Sequence, residues 1–234
     1  MITVGITGGL GTGKSSVTRL LGEMGAITFS ADEAARAILT PGGPTLRQIE
    51  AAFGPEVLHR DVSGGGQRLN RQYLAARIFG DTTARATLDA ITHPPILRLL
   101  RAQIEACAVD LPPATIVAVE VPLLFETGIQ NWFERIVVVA TSESVQVSRL
   151  VARSRLDPGE ARHRIAAQMP IERKVELADT VISNNGDRDA LRQAVVVLWR
   201  ELRRESETVK NFTESSKPGL TNPKSACFPW GVML

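Results

Sequence analysis

The residues Gly8-Gly9-Leu10-Gly11-Thr12-Gly13-Lys14-Ser15 fit the spacing G-x-x-x-x-G-K-[ST] at every fixed position. Glycines let consecutive backbone N–H groups turn inward around phosphate oxygens, so Gly9, Leu10, Gly11, Thr12 and Gly13 form a candidate cradle for a nucleoside triphosphate such as ATP. Lys14 adds a cation that reaches the β- and γ-phosphates. Ser15, followed by Ser16, offers a hydroxyl to Mg²⁺, a hard ion that takes oxygen ligands and keeps several waters. Further along, Ser30-Ala31-Asp32 closes a short β-rich run. A carboxylate at the C-terminal end of a parallel strand faces the ligand crevice, where Asp32 could accept the proton of an attacking hydroxyl or hold water on Mg²⁺. Its residue type also suits an N-cap for a helix starting near Glu33. Arg149 and Arg153 stand four residues apart, hence on one helical face, and Arg155, Arg162 and Arg164 lie beyond them. Guanidinium forks match phosphate oxygens, so this segment could close a charged lid over a triphosphate.

Such groups need a scaffold that brings them together. Apolar β-rich runs occur at Ile2–Thr7, Ala26–Phe29, Thr115–Val121, Ile136–Ala140 and Thr180–Ile182, with helical stretches between most of them. Strand, glycine loop and helix at the start, then strands separated by helices, predict an α/β fold: a P-loop NTPase-type parallel sheet flanked by helices. A long helical region over about 44–108, broken at Arg60–Gln67, reads as a helical substrate-side insertion. The arginine-rich segment 144–177, broken at Asp157-Pro158-Gly159 and Pro170, reads as a helical lid. Residues 1–204 form one kinase-sized domain with its last helix over Arg188–Arg204, and 205–234 is expected to be a disordered tail, lacking apolar periodicity.

Composition narrows the function classes. With 234 residues, 44% hydrophobic and 22% charged, the chain can bury a full core without staples. Mean hydropathy is +0.01, and no apolar run approaches the roughly 18 residues of a transmembrane helix. The N-terminus has no basic stretch before its first glycines, so a cytoplasmic protein without membrane attachment is expected. Cys107 and Cys227 lie far apart and are read as reduced thiols. A formal charge of +2 disfavours a nucleic-acid partner. No N-K-x-D element for guanine is present, and Asp61-Val62-Ser63-Gly64 follows no core strand.

Five elements in order, Gly8–Ser16, Ser30-Ala31-Asp32, Thr92-His93-Pro94, Val121–Glu126 and Ala178–Gly186, resemble the motifs of the dephospho-coenzyme A kinase family. The resemblance runs from about Met1 to Arg204. It implies ATP-dependent phosphorylation of the ribose 3′-hydroxyl of dephospho-CoA, with ATP and dephospho-CoA as small-molecule partners, Mg²⁺ as cofactor and no obligate protein partner. It also implies Lys14 and Ser15 as phosphate and Mg²⁺ contacts, Asp32 as general base, Arg153 as the lid arginine, and Asn184 on the adenine side. Gln168 and Lys174 match family positions to which no role is assigned. Two departures stand out: Ser30 replaces the first carboxylate of the usual D-A-D, and Ser183 replaces an acidic residue before Asn184.

His93 precedes two prolines, which predicts an extended or turn backbone at a helix start. Its imidazole could donate to substrate phosphate or ribose, or satisfy a cap. Pro122, Leu123 and Leu124 could line a pocket for the pantetheine arm or adenine, or pack as core, while Glu126 or Glu120 could orient a hydroxyl or a basic side chain. Another small-molecule kinase, or a nucleotide-binding regulatory module, remains compatible with the phosphate loop alone.

Overall fold

The computed structural model describes residues 1–60, 66–154 and 156–215. Arg155, Cys227 and the Asp61–Gly64 stretch lie outside the described residues.

Five β-branched segments form one parallel sheet: β1 (Ile2–Gly8), β2 (Ile27–Ser30), β5 (Ile116–Glu120), β6 (Arg135–Ala140) and β7 (Thr180–Ser183), in the spatial order β2-β5-β1-β6-β7. β1 is central, with Ile2 opposite Ile116 on one side and Val4 opposite Arg135 on the other. Alternation along the strands divides the core. Ile2, Val4, Ile6, Ala118, Val137 and Val139 face α1 (Lys14–Glu23) and α9 (Arg188–Ser215). Val117, Val119 and Val138 face α2 (Ala31–Ala37), α5 (Thr82–Asp110) and α8 (Ile171–Glu176). Two satellite cores hang on this frame. Ile49 of α3 (Pro44–Phe53), Val57 and Leu74 of α4 (Arg71–Ile78) pack under α5. Val147 and Leu150 of α6 (Glu143–Ser154) meet Ala161 of α7 (Pro158–Ala166).

Three expectations change. The insertion is not wholly helical: β3 (Leu58–Arg60) and β4 (Gln67–Leu69) pair antiparallel across the segment read as a loop. His93 does not start a helix but sits inside the 29-residue α5, with Pro94 and Pro95 in its interior. Each proline removes one backbone donor and disfavours helix before it. Packing overrides that penalty, since Leu88 and Ile91 join the insertion core before the prolines while Leu100, Ile104 and Cys107 bury against the sheet after them. Finally, α9 continues past Arg204 to Ser215. Leu191, Val195, Leu198 and Leu202 form a buried stripe, and the fully buried Ser206 extends it by one turn. Glu205 pairs with Arg135 at the start of β6. Among the described residues, no helix is long and apolar enough to cross a membrane.

Candidate active site

The phosphate loop turns from the C-terminal end of β1 into α1. At Gly8 (φ +146°) an added Cβ would lie 2.2 Å from the Val139 carbonyl oxygen, so only glycine lets the loop pass β6. Gly13 (φ +95°) enters α1 equally tightly, 2.2 Å from the Asn184 side-chain nitrogen. As first-turn residues, Lys14 and Ser15 have N–H groups with no intrahelical acceptor, and these point with the helix dipole toward an incoming anion.

Lys14 is buried, and its Nζ donates to the Gly9 carbonyl at 2.9 Å. Burial lowers its pKa to about 8; Glu120 and Asp32 act against that shift, while Lys174 and Arg153 add to it. Lys14 is therefore a poorly solvated cation with no direct carboxylate partner among the described residues. Glu120, at the end of β5, is buried and has its pKa raised by desolvation, with Lys14 opposing. The sequence signal for Glu120 was present: an acidic residue ending the apolar strand that pairs with β1. P-loop NTPases place a Mg²⁺ carboxylate in that position.

A cavity of about 1330 Å³ opens over the strand ends, lined by Lys14, Ser15, Asp32, Glu120, Arg149 and Arg153 among others. Asp32 is an exposed first-turn residue of α2, while Ser30 occupies the N-cap position without a side-chain cap bond. The capping alternative for Asp32 thus falls away. His93 lines the cavity and lies 3.5 Å from Asp89 on the same helix. Among the described residues no group of three or more His, Cys, Asp or Glu could enclose a metal. A hydroxyl (Ser15) and carboxylates at a phosphate site are hard oxygen donors that fit Mg²⁺ held mainly by substrate oxygens and water.

On α6, Arg149 donates to the carbonyls of Gly11, Thr12 and Asn184 at 3.0–3.4 Å. Asn184 is buried and its Nδ2 donates to the Thr12 carbonyl at 2.7 Å. Both hold the phosphate loop from behind, though Arg149 also reaches the cavity. Gln168 Oε1 accepts from the Leu10 N–H. Arg153, near the end of α6, makes no ion pair among the described residues and faces the cavity.

Pro122 and Leu123 line the cavity, but two of their neighbours do not. Leu124 is fully buried in the core beneath the sheet, so it belongs to the packing alternative. Glu126 binds inward: it pairs with Lys174 at 2.8 Å and accepts from the Met169 N–H at 3.1 Å. Lys174 is fully buried and also donates to the Pro122 carbonyl at 2.9 Å, which Thr7 Oγ1 approaches at 3.3 Å. This network ties α8 to the strand ends. No local spacing announces it, because its bonds join residues 43 or more apart in sequence.

Sequence comparison agrees with this geometry. A profile described as dephospho-CoA kinase matches residues 2–190. The dephospho-CoA kinase of Syntrophotalea carbinolica is 45% identical over 202 residues, covering 86% of this chain and 92% of its own. That of Moorella thermoacetica is 42% identical, covering 87% and 93%. Among solved structures, a Thermus thermophilus protein superposes with a TM-score of 0.68 at 32% identity, covering 86% of this chain and 97% of its own. The dephospho-CoA kinase of Campylobacter jejuni gives 0.64 at 25% identity, covering 87% and 98%. With a family profile matching most of the chain and relatives above 40% identical over more than 85% of it, the chain belongs to the dephospho-CoA kinase family.

Proposed function

We propose that this chain transfers the γ-phosphoryl group of ATP to the 3′-hydroxyl of the dephospho-CoA ribose, giving coenzyme A and ADP. The observation that carries the reading is that Lys14 of the phosphate loop and Asp32 just past the end of β2 line the same cavity. The phosphate loop and the α1 N-terminus hold the triphosphate, and Lys14 exchanges the Gly9 carbonyl for phosphate oxygen. Ser15 and Glu120 would hold Mg²⁺, which would supply positive charge against the phosphates. Asp32 takes the proton as the 3′-oxygen bonds to phosphorus and the bond to the ADP oxygen breaks. Arg153 meets the negative charge of the transferring group with an oriented fork, and lid closure excludes water that would otherwise accept the phosphoryl group.

The test is ADP release with dephospho-CoA, with and without Mg²⁺, beside nucleoside monophosphate and sugar acceptors. Mg²⁺-dependent turnover selective for dephospho-CoA, with the product phosphorylated at the 3′-oxygen, is expected. Preference for a sugar or nucleoside monophosphate would overturn the assignment.

A further inference from the structure

Helix α8 carries Ile171, Lys174 and Val175 at three- and four-residue steps, so its inward face joins two apolar side chains to a cation. Lys174 is the largest fully buried side chain among the described residues. Taking an ammonium out of water is costly, and well-packed apolar residues often replace a buried ion pair without loss of stability. Stability alone therefore gives no reason for a lysine here. Neither Lys174 nor its partner Glu126 lines the main cavity, so the pair acts through the residues it holds.

What it holds is a turn. The Thr127 N–H and hydroxyl both donate to the Leu123 carbonyl, at 2.9 and 2.8 Å, which closes the chain after β5 on itself. From inside the fold a single ammonium grips this turn twice: Lys174 Nζ donates to the Pro122 carbonyl at 2.9 Å and to the Glu126 carboxylate at 2.8 Å. The opposite side of the turn, Pro122, Leu123 and Thr127, is a wall of the cavity. Two arms run from the turn to the phosphate loop. On one, the Thr7 hydroxyl near the end of β1 donates to the Pro122 carbonyl at 3.3 Å. On the other, Glu126 accepts from the Met169 N–H at 3.1 Å, and the adjacent Gln168 accepts from the Leu10 N–H at 2.9 Å. Thr7 and Leu10 bracket Gly8-Gly9, so the circuit closes on the phosphate loop. Lys174 sits where the two arms meet.

Building on the proposed reaction, we propose that Lys174, paired with Glu126, is a positioning residue that fixes the Pro122–Leu123 wall against the phosphate loop and so sets the alignment of phosphoryl donor and acceptor across the cavity. Transfer is sensitive to that alignment, since a misplacement of about 1 Å can cost about 10²-fold in rate. An apolar side chain of similar volume fills the space but leaves the Pro122 carbonyl without its ammonium donor, and the wall is then free to shift. The carboxylate of Glu126 neutralises the buried cation and carries the second arm through Met169.

The experiment compares the full chain with Lys174→Met and with the double variant Lys174→Met/Glu126→Gln, by thermal melting and by steady-state kinetics with ATP and dephospho-CoA. Lys174→Met strands the Glu126 carboxylate and should lower the melting temperature by several degrees. Adding Glu126→Gln removes the stranded charge and should return most of that loss. Activity should not follow. In both variants kcat should stay about 10- to 100-fold below that of the wild-type chain, while the KM for ATP and the KM for dephospho-CoA change less than about threefold. A purely structural pair predicts the reverse, with kcat recovering as the melting temperature does. Wild-type kcat in the double variant therefore overturns the positioning role, as does a loss carried by either KM with kcat intact. A double variant that melts no higher than Lys174→Met, or does not fold, makes the lysine structural and overturns it as well. A wild-type chain that does not phosphorylate dephospho-CoA overturns the reaction on which the role rests, and the role with it.

Discussion

The backbone N–H of Leu10 donates to Gln168 Oε1 at 2.9 Å, and the Leu10 side chain packs against the Val147, Leu150 and Ala161 cluster of α6 and α7. One phosphate-loop residue is thus tied to the 144–177 segment through both its main chain and its side chain. The phosphate loop and the α6–α7 helices therefore form one mechanical unit.

Gln168→Ala should uncouple them. Loss of a hydrogen bond worth about 0.5–1.5 kcal/mol predicts a roughly 2- to 10-fold rise in the KM for ATP. Hydrogen exchange of the Leu10 amide should accelerate, with melting temperature little changed. Unaltered exchange would show that the contact holds nothing.

The free-enzyme pKa of Lys14 sets a pH profile. Burial lowers it to about 8, and bound phosphate, being anionic, raises it again. kcat/KM for ATP should therefore fall above pH 8 while kcat stays level to higher pH. Lys14 also affects stability. Between about 8 and the ordinary value of 10.5 the unfolded chain binds the extra proton, so this group makes stability rise with pH across that window. Lys14→Met should melt higher near neutral pH, lose the rise attributable to Lys14, and show no turnover. A kcat/KM for ATP that stays flat through about pH 8–9 would contradict the assignment.

Asp32→Asn should fold with an almost unchanged melting temperature, because Ser30 rather than Asp32 occupies the N-cap. ATP binding measured calorimetrically should persist. Turnover should drop by about 10²–10⁴-fold, the usual cost of removing a general base. Near-normal turnover would exclude Asp32 as the base.

The two lid arginines should differ. Arg153→Ala should reduce kcat strongly with little effect on stability, and Arg153→Lys should recover only part, keeping charge without the fork. Arg149→Ala removes donors to three loop carbonyls, so it should raise the KM for ATP and lower the melting temperature. Identical behaviour of the two variants would refute the distinction.

Truncation separates the end of α9 from the residues beyond it. Removing residues 216–234 should leave activity and melting temperature unchanged. Removing 205–234 takes away the buried Ser206 and the Glu205 partner of Arg135, and should lower the melting temperature by several degrees. Equal melting of both truncations would place the end of the stabilising helix at Arg204.

How much of the molecule is legible in its sequence depends on how local each signal is. The five sheet strands announce themselves as β-branched runs, and the phosphate loop as a fixed spacing. β3 and β4 span three residues each beside a glycine run, too short for any period to register. The course of α5 through Pro94 and Pro95 is decided by burial at both ends, which outweighs local backbone preference. In the site, Lys14, Ser15 and Asp32 are readable because strand and helix ends place them. Leu124 and Glu126 sit beside Pro122 and Leu123 in sequence but turn toward the core and toward Lys174. Only the arrival of distant α8 decides that division.

The central position of β1 has a consequence for synthesis of the protein. Ile2 pairs with Ile116 and Val4 with Arg135, so β1 leaves the ribosome before either neighbour and is flanked on both sides only after β6 has been made. At roughly 5–20 residues per second, the apolar Ile2–Ile6 segment waits on the order of ten seconds for its neighbours. Closing such long chain loops before any pairing is rewarded also slows the folding step itself. The nascent chain therefore carries β1 without both of its sheet neighbours until β6 emerges.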